Sequence, residues 1–219
     1  QLVHPAYDAF LRDALLPLTT GGTACVPEGR PAGAELLAYL RAERVAVVHT
    51  VPSVLRTLLD EGDWSGLALR HVLVAGEALL PADVRRWFER AGQQVALTNL
   101  YGPSETTMTK LFHRVTPADV DQAVVPVGRA MPDVRVMLID EDGECALPGA
   151  IGEIVIQTRH AALGYWGDAE ATARVFVADP SGEDLAVPAY RTGDFGRTHV
   201  DGSLEFLGRR DRQIKLRGV

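Results

Sequence analysis

The sequence predicts an α/β fold, in which a mostly parallel sheet with flanking helices is followed by a small β-barrel-like subdomain. Helical and strand-like patterns alternate over residues 8–115, whereas from residue 125 onward short alternating segments are separated by turn residues. The length of 219 residues suffices for one large domain or two small ones. We therefore expect an α/β subdomain over residues 1–120 and a β-rich subdomain over residues 121–219.

The first part of the chain alternates between helices and buried strands. Apolar residues at helical spacing predict helices over residues 8–18, 34–43, 54–61 and 81–91, the last with a proline in its first turn. Short apolar runs predict strands over residues 23–26, 45–49, 71–75 and 94–98. Alternation of this kind indicates βαβ units, whose strands pair in parallel.

The second part is predominantly β. We predict strands over residues 134–139 and 151–158, and a hairpin of residues 195–198 and 204–207 around an Asp201-Gly202 turn. One short helix is predicted over residues 169–176. The change in pattern places the join between the two subdomains near residues 115–125.

The composition argues against two classes of partner. The 22 basic and 29 acidic residues give a net charge of -7, which argues against a nucleic-acid surface. No run of 18 apolar residues occurs and the start lacks the pattern of a signal peptide, so we expect no membrane partner. Cys25 and Cys145 lack metal-ligand spacing, which is typical of reduced thiols in a cytoplasmic protein. Because the chain does not begin with Met, we expect it to be a piece of a longer protein.

The stretch Asn99-Leu-Tyr-Gly-Pro-Ser-Glu-Thr-Thr107 holds side chains that suit a nucleotide. It follows a predicted buried strand, and ligands of open α/β sheets bind beyond the carboxyl ends of strands. Tyr101 offers a flat face to a nucleobase, Ser104 a hydroxyl to a phosphate oxygen, and Glu105 a hard oxygen ligand to Mg²⁺. By itself, a Tyr-Gly-Pro turn with polar neighbours is usually only a turn.

Two later segments add groups that would complete such a site. Tyr190-Arg-Thr-Gly-Asp194 places a carboxylate on a predicted turn, where it could accept hydrogen bonds from both ribose hydroxyls. Phe206-Leu-Gly-Arg-Arg-Asp211 adds an apolar ring, an arginine and another acid at the end of a predicted hairpin. Each segment alone is also typical of a solvated loop with an ion pair. The three segments in this order indicate a common function.

The sequence resembles the adenylation domain of a nonribosomal peptide synthetase, a member of the adenylate-forming superfamily shared with acyl-CoA ligases and luciferases. The matching motifs are spread over nearly the whole chain; besides the segments above they are Tyr7-Asp-Ala-Phe10, Gly21-Gly-Thr23, His49-Thr-Val-Pro-Ser53, Val74-Ala-Gly-Glu-Ala78, Pro126-Val-Gly-Arg129, Gly152-Glu-Ile-Val-Ile156, Gly164-Tyr-Trp166 and the run from Gly208 to Gly218. The resemblance implies a partial adenylate-forming fold. It also implies that an amino acid is activated by ATP, with Mg²⁺, as an aminoacyl-adenylate.

The nucleotide site is implied residue by residue. Tyr101 would stack on adenine, Ser104 would contact the α-phosphate, and Glu105 would hold Mg²⁺. The other implied nucleotide residues line the adenine edge, shape the turn or face the ribose: Asn99 and the backbone of Gly76 and Glu77, then Gly102, then Asp194 and Arg209 with Phe206 nearby. Asp211 stands where the family has the hinge of a small C-terminal domain, which rotates between adenylation and thiolation.

An amino-acid pocket is implied as well, with Asp8 as its discriminating residue. The Asp8 carboxylate would pair with the substrate α-ammonium, although by spacing alone Asp8 also suits the cap of the helix that begins there. Thr50 is placed by counting back from Pro52, and a shift of one residue would put His49 there instead. The remaining pocket residues would be Ala9, Arg12, Leu73, Ala75, Leu100, Met108 and Thr109.

Arg12 bears on the choice of substrate. An arginine in the pocket would suit an acidic or strongly hydrogen-bonding side chain. If Arg12 instead pairs with Asp13 or turns to solvent, the pocket is apolar and of medium size. The sequence leaves both alternatives open.

Two parts of the family's catalytic set have no counterpart in this sequence. They are a Ser/Thr/Gly-rich phosphate loop with a lysine, ahead of Tyr7, and a catalytic lysine beyond the hinge. We therefore assign no catalytic residue within the chain and expect the 219 residues alone to be inactive. In the longer protein, a downstream peptidyl carrier domain with a phosphopantetheine arm would accept the product, and the sequence leaves open whether a small helper protein is a further partner.

Two other functions compete with amino-acid activation. The first is a stand-alone acyl- or aryl-CoA ligase, against which Asp8 argues. The second is a non-catalytic binding or scaffolding remnant of the fold, against which the retained Glu105, Asp194 and Arg209 argue.

Overall fold

The computed structural model describes residues 2–209 with the exception of residue 4. These residues cluster into two compact units, and each is described here by itself. The first unit holds the described residues up to Leu100 together with Arg114–Val125, and the second holds Tyr101–His113 with the chain from Pro126 onward. The predicted boundary at residue 120 therefore differs from this division for residues 101–113 and 121–125.

The first unit is a parallel sheet with helices. In chain order its main elements are α1 (Ala9–Thr20), α2 (Gly33–Ala42), β1 (Val47–Thr50), α3 (Pro52–Asp60), β2 (His71–Val74), α4 (Pro81–Ala91) and β3 (Ala96–Tyr101), followed by a 3-10 turn over Pro117–Asp121. β1 pairs in parallel with β2, and β2 pairs in parallel with β3. The predicted βαβ organisation is confirmed. The two prolines that begin α3 and α4 fit there because the first helical residue needs no N–H donor.

The core of the first unit lies on one face of this sheet. Because side chains alternate along a strand, Val48, Val72 and Leu97 point to the same side and are buried there. Leu36, Leu55 and Trp87, from α2, α3 and α4, are fully buried in the same cluster. The predicted strand over residues 23–26 is wrong, since this segment is mostly exposed and pairs with no strand among the described residues.

The second unit is predominantly antiparallel. Its elements are a 3-10 turn over Ser104–Thr106, β4 (Leu111–Arg114), β5 (Arg129–Ala130), β6 (Arg135–Ile139), β7 (Ile151–Gln157), α5 (Ala169–Val175), β8 (Phe176–Val177), β9 (Ala189–Thr198) and β10 (Leu204–Arg209). β4 pairs with β5. The larger sheet has the order β10-β9-β7-β6, with β8 also pairing with β9, so the described strands form an open sheet rather than a closed barrel.

The segment Tyr190–Asp194 is part of a strand, which corrects the predicted turn. β9 is ten residues long and pairs with β7 on one side and β10 on the other. Its register against β7 shifts between Glu153 and Val155, and Gly193 has a φ of 71°. Such an irregularity bends a strand locally, as a turn does, while keeping the hydrogen-bond ladder on either side.

Among the described residues, no helix has the length and apolar composition needed to cross a membrane.

Candidate functional site: a carboxylate cluster and a sheet face

A buried carboxylate, Asp194, is the centre of a hydrogen-bonded cluster in the second unit. The hydroxyl of Tyr101 donates to Asp194 Oδ2 at 2.5 Å. Arg209 Nη1 donates to Asp194 Oδ1 at 3.1 Å and to the carbonyl of Thr192 at 3.0 Å. Only 4% of Asp194 is exposed, so each carboxylate oxygen relies on these donors. The structure thus brings together three residues that the sequence assigned to nucleotide binding.

A bulge positions Arg209 for this contact. The register between β9 and β10 shifts between Phe206 and Gly208, and beyond the shift Arg209 lies directly opposite Asp194. Phe206 stays on the other side of the bulge, with its ring centroid 6.0 Å from that of Tyr101. The bulge therefore lets one short strand present both an aromatic ring and a guanidinium to the same tyrosine–aspartate pair.

Burial fixes Tyr101 as a proton donor. Burial raises the pKa of its hydroxyl well above the ordinary value, and the negative charge of Asp194 raises this pKa further. The hydroxyl therefore stays protonated at neutral pH and holds the carboxylate in place. A ring whose hydroxyl is held in this way keeps a fixed orientation, which suits a stacking surface.

Glu105, the predicted Mg²⁺ ligand, is held by a tyrosine that sequence reasoning had given no role. The hydroxyl of Tyr165 donates to Glu105 Oε1 at 2.7 Å and lies 3.4 Å from the hydroxyl of Tyr190. Burial raises the pKa of both tyrosine hydroxyls above their ordinary values. Tyr165 lies in the Gly164-Tyr-Trp166 motif, so the sequence marked it as a family residue. The sequence gave no sign that its hydroxyl contacts Glu105, which is 60 residues away.

Glu105 fits Mg²⁺ as a single protein ligand. No group of three His, Cys, Asp or Glu side chains that could hold a metal occurs in the part of the chain that the structure describes. Mg²⁺ usually keeps several waters and takes one or two carboxylates together with substrate phosphates. A lone, half-buried glutamate is consistent with that chemistry and inconsistent with a metal cage made by the protein alone.

The loop that carries Glu105 is tightly built. A Cβ placed on Gly102 would lie 2.1 Å from the carbonyl oxygen of Met108, so only glycine fits there. Thr107 and Met108 have φ values of 64° and 59°, which side chains adopt at a cost. Ser104 is exposed on the same loop, and Thr109 follows its last strained residue. The loop thus holds five predicted site residues, and the close backbone contact at Gly102 fixes its conformation.

In the first unit, Glu77 anchors the loop after β2. Its carboxylate accepts hydrogen bonds from the backbone and the hydroxyl of Ser53, both at 2.8 Å, at the start of α3. The preceding Gly76 has a φ of 86°, which glycine tolerates. Because the Glu77 side chain is bound to Ser53, the backbone of Gly76 and Glu77 is the part of this loop that could contact a ligand. Asn99 is buried on the core face of β3.

The faces of the sheet correct the predicted place of Thr50. In register, Thr50 stands beside Val74 and Asn99, on the buried face. His49 stands beside Leu73 instead, and the same alternation puts the predicted pocket residues Ala75 and Leu100 on the face of Leu73. The count back from Pro52 is therefore off by one residue, and His49 is the residue of β1 that shares the face of the predicted pocket.

Asp8 and Arg12 lie on α1 with Ala9. Asp8 is the N-cap, and its Oδ1 accepts a hydrogen bond from the backbone of Ala9 at 2.8 Å. Arg12 pairs with Asp13 at 3.2 Å and also contacts Nδ1 of His49. Both local alternatives left open by the sequence, the cap and the Arg12–Asp13 pair, are confirmed. The predicted hinge residue Asp211 lies outside the described residues.

Comparison with known proteins identifies the family. The family model described as AMP-binding enzyme matches residues 2–166, which is most of the chain. The chain belongs to the AMP-binding enzyme family. The predicted resemblance to adenylation domains and the partial adenylate-forming fold are confirmed by the relatives that follow.

Three relatives show where within the AMP-binding enzyme family the chain falls. It is 40% identical, over its whole length, to CymA of Salinispora arenicola, a probable nonribosomal peptide synthetase, and spans 3% of that protein. PA1221, a nonribosomal peptide synthetase protein containing adenylation and PCP domains, matches 99% of the chain with a TM-score of 0.90 and 33% identity. The adenylation domain AlmE of Vibrio cholerae, solved in complex with glycyl-adenosine-5'-phosphate, matches 99% with a TM-score of 0.83 and 29% identity. The chain spans 44% of PA1221 and 41% of AlmE.

Proposed function

We propose that this chain recognises the nucleotide and the amino acid in an ATP-dependent enzyme that activates an amino acid as an aminoacyl-adenylate. The observation that carries the proposal is the cluster of Tyr101, Asp194 and Arg209. A buried carboxylate that is held from two sides by a tyrosine and an arginine, beside the ring of Phe206, is suited to a ribose site. Membership of the AMP-binding enzyme family supports this assignment.

The Asp194 carboxylate keeps lone pairs that its own hydrogen bonds do not use. Each Asp194 oxygen has two lone pairs, and the hydrogen bonds from Tyr101 and Arg209 use one on each oxygen. The other lone pairs can accept hydrogen bonds from the two ribose hydroxyls. Because Asp194 is held before the nucleotide arrives, little side-chain entropy remains to be lost on binding.

The reaction follows from where these residues would hold ATP. A carboxylate oxygen of the amino acid attacks the α-phosphorus, the new oxygen–phosphorus bond forms, and pyrophosphate leaves with the electrons of the broken bond. Mg²⁺ held by Glu105 would supply positive charge beside the phosphates. The chain's own contribution is orientation: Tyr101 supports the base, Asp194 and Arg209 hold the ribose, and Tyr165 keeps Glu105 in place.

The amino acid and the acceptor are part of the same proposal. The Asp8 carboxylate, on the first turn of α1, would pair with the substrate α-ammonium while it caps the helix. The adenylate-bound AlmE supports an aminoacyl-adenylate as the product, and PA1221 supports a carrier-protein thiol as its acceptor. We also infer that the 219 residues alone do not complete the reaction, because the sequence holds no phosphate loop and no catalytic lysine.

Pyrophosphate exchange tests the proposal in the full protein that contains this chain. We expect ATP-dependent exchange with at least one amino acid, and a loss of about 100-fold in Asp194→Asn, because one charged hydrogen-bond acceptor is removed from a buried site. Asp142→Asn, at an exposed turn position, is the matched control and should leave exchange unchanged. Exchange with aryl or fatty acids alone would favour a CoA ligase, and the absence of ATP and adenylate binding by calorimetry would favour a non-catalytic remnant.

A further inference from the structure

Lys110 is a buried cation in the second unit, immediately before β4. Only 6% of the residue is exposed. Its backbone is held on both sides, because its N–H donates to the carbonyl of Tyr101 and its carbonyl accepts from the N–H of Met131, both at 2.8 Å. A Cβ on Gly102 would lie 2.8 Å from the backbone nitrogen of Lys110. The lysine therefore packs directly against the turn that follows Tyr101, where the nucleotide residues of the second unit begin.

The ammonium of Lys110 has no partner among the described residues. The buried carboxylates Asp194, Glu153 and Glu205 of the same unit are each paired with an arginine. For Lys110, the part of the chain that the structure describes supplies no ion pair and no side-chain hydrogen bond, and burial lowers its pKa without a carboxylate that would raise it. A buried charge is costly unless it is paired, so this cation indicates a partner from outside the described residues.

The ammonium is also accessible to a ligand. The fully enclosed side-chain nitrogens without a hydrogen bond among the described residues are His49 Nε2 and Trp87 Nε1, and Lys110 Nζ is not one of them. The stem of Lys110 is therefore buried while its charged end reaches an opening, as is common for lysine. A ligand can contact the charge there without displacing a protein partner.

The nucleotide site favours an oxyanion as this ligand. Arg209, the cation that the site already contains, is paired with Asp194. Glu105, on the same loop as Lys110, is an acid and adds negative charge beside the phosphates. The residues assigned to the nucleotide so far therefore hold no unpaired cation to meet the charge of ATP. An ammonium binds phosphate and carboxylate oxygens as a point charge, and Lys110 packs beside the same turn.

We propose that Lys110 binds an oxyanion of the reactants. Its ammonium pairs either with a phosphate oxygen of ATP or with the carboxylate oxygen of the amino acid that attacks the α-phosphorus, since both offer negative charge and hydrogen-bond acceptors. This inference rests on the proposed function and adds to it a binding residue that the motifs did not assign.

Pyrophosphate exchange by the full protein tests the inference with Lys110→Met, which nearly keeps the length of the side chain and removes its charge. With an amino acid that supports exchange in the parent protein, kcat/KM should fall about 10- to 100-fold, because a hydrogen bond to a charged group is lost. A higher KM for ATP identifies a phosphate as the partner, whereas a higher KM for every amino acid of a panel identifies the reacting carboxylate. Lys110→Arg keeps the charge and should recover part of the loss.

Thermal unfolding separates ligand binding from a structural role. If the charge of Lys110 serves a ligand, the Tm of the free Lys110→Met protein should equal or exceed that of the parent, because an unpaired buried charge is removed. The reactant whose KM rises should also raise the Tm of the parent by more than that of Lys110→Met. Arg114→Met, at the exposed end of β4, is the control and should change neither the kinetics nor these shifts.

Three results would overturn the inference and leave amino-acid activation intact. They are a Lys110→Met protein that does not fold, unchanged kinetics in a folded one, and a loss of exchange confined to acidic amino acids. Failure of the parent protein to support exchange with any amino acid would instead overturn the proposed function on which the inference rests.

Discussion

The two units of the chain satisfy their buried carboxylates alike, since Asp83 and Asp119 of the first unit also accept several hydrogen bonds, but they differ in their buried ring nitrogens. In the second unit, Asp194, Glu153 and Asp179 are buried carboxylates, and each accepts hydrogen bonds from at least two donors. In the first unit lie the two buried side-chain nitrogens without a partner among the described residues, His49 Nε2 and Trp87 Nε1. The carboxylates of both units are therefore held by the protein's own donors, whereas these two nitrogens are not.

The largest expected effect concerns Glu105 in the second unit. Glu105→Gln should lower pyrophosphate exchange by about 100- to 1000-fold, because charge stabilisation at the phosphates is lost. The amino-acid preference should stay the same, since Glu105 is assigned to the metal and the phosphates and not to the amino-acid side chain. Exchange kinetics over a Mg²⁺ titration and an amino-acid panel measure both effects. Glu144→Gln, at an exposed turn, is the control, and a changed preference in Glu105→Gln would break the comparison.

The next effect concerns the tyrosine that holds Glu105. Tyr165→Phe removes the hydroxyl 2.7 Å from Glu105 Oε1 and should cost about 10-fold in exchange, as is typical when a partner of a metal ligand is lost. The Mg²⁺ concentration for half-maximal activity should also rise. This concentration would not change if Tyr165 only stabilised the fold. Tyr39→Phe, on α2, serves as a control without contact to Glu105. Equal Mg²⁺ dependence in Tyr165→Phe and the parent protein would contradict a positioning role.

The sequence anticipated the elements of the fold better than the contacts of the site. The four helices of the first part and the strands β6, β7 and β10 of the second were predicted to within a few residues, because their apolar periodicity is local information. The segment over residues 23–26 has the composition of a strand and lacks a partner to pair with, which no local pattern can reveal. Pairing is a tertiary property and overrides propensity.

The site shows the same limit. Asp194 and Arg209 were predicted from motifs. Their direct contact depends on a bulge between Phe206 and Gly208, which the sequence pattern does not predict. Thr50 was placed by counting, and a shift of one residue moves a side chain to the other face of a strand. The register of His49 with Leu73 was needed to correct it. Long-range geometry thus decides roles that motif spacing leaves ambiguous.

A smaller effect is expected when the hydrogen bonds to one buried carboxylate of the second unit, Asp179, are weakened. The backbone N–H of Asp184, with the N–H and hydroxyl of Ser181, lowers the pKa of Asp179 to about 2. Because the pKa is lower in the folded state, this carboxylate stabilises the protein above its unfolded pKa near 4, and the stabilisation is lost as the pH falls towards 2. Asp179→Asn should therefore be less stable than the parent by about 1–2 kcal/mol at pH 7, with the difference shrinking between pH 4 and pH 2. Thermal unfolding at several pH values measures it, and a pH-independent difference would contradict the assignment.

The smallest effect concerns the second unpartnered nitrogen, Trp87 Nε1. Trp87 is fully buried and packs edge-on against Trp64, whose own Nε1 donates to the carbonyl of Leu58 at 3.1 Å. Trp87→Phe loses packing volume but also removes a buried donor without an acceptor, so we expect the free energy of unfolding to change by less than about 1 kcal/mol. Trp64→Phe loses packing and a satisfied hydrogen bond, so it should cost more despite being nearer the surface. Chemical denaturation of both variants measures the order. A larger cost for Trp87→Phe than for Trp64→Phe would contradict the expected order, because the packing lost would then outweigh the removal of the open donor.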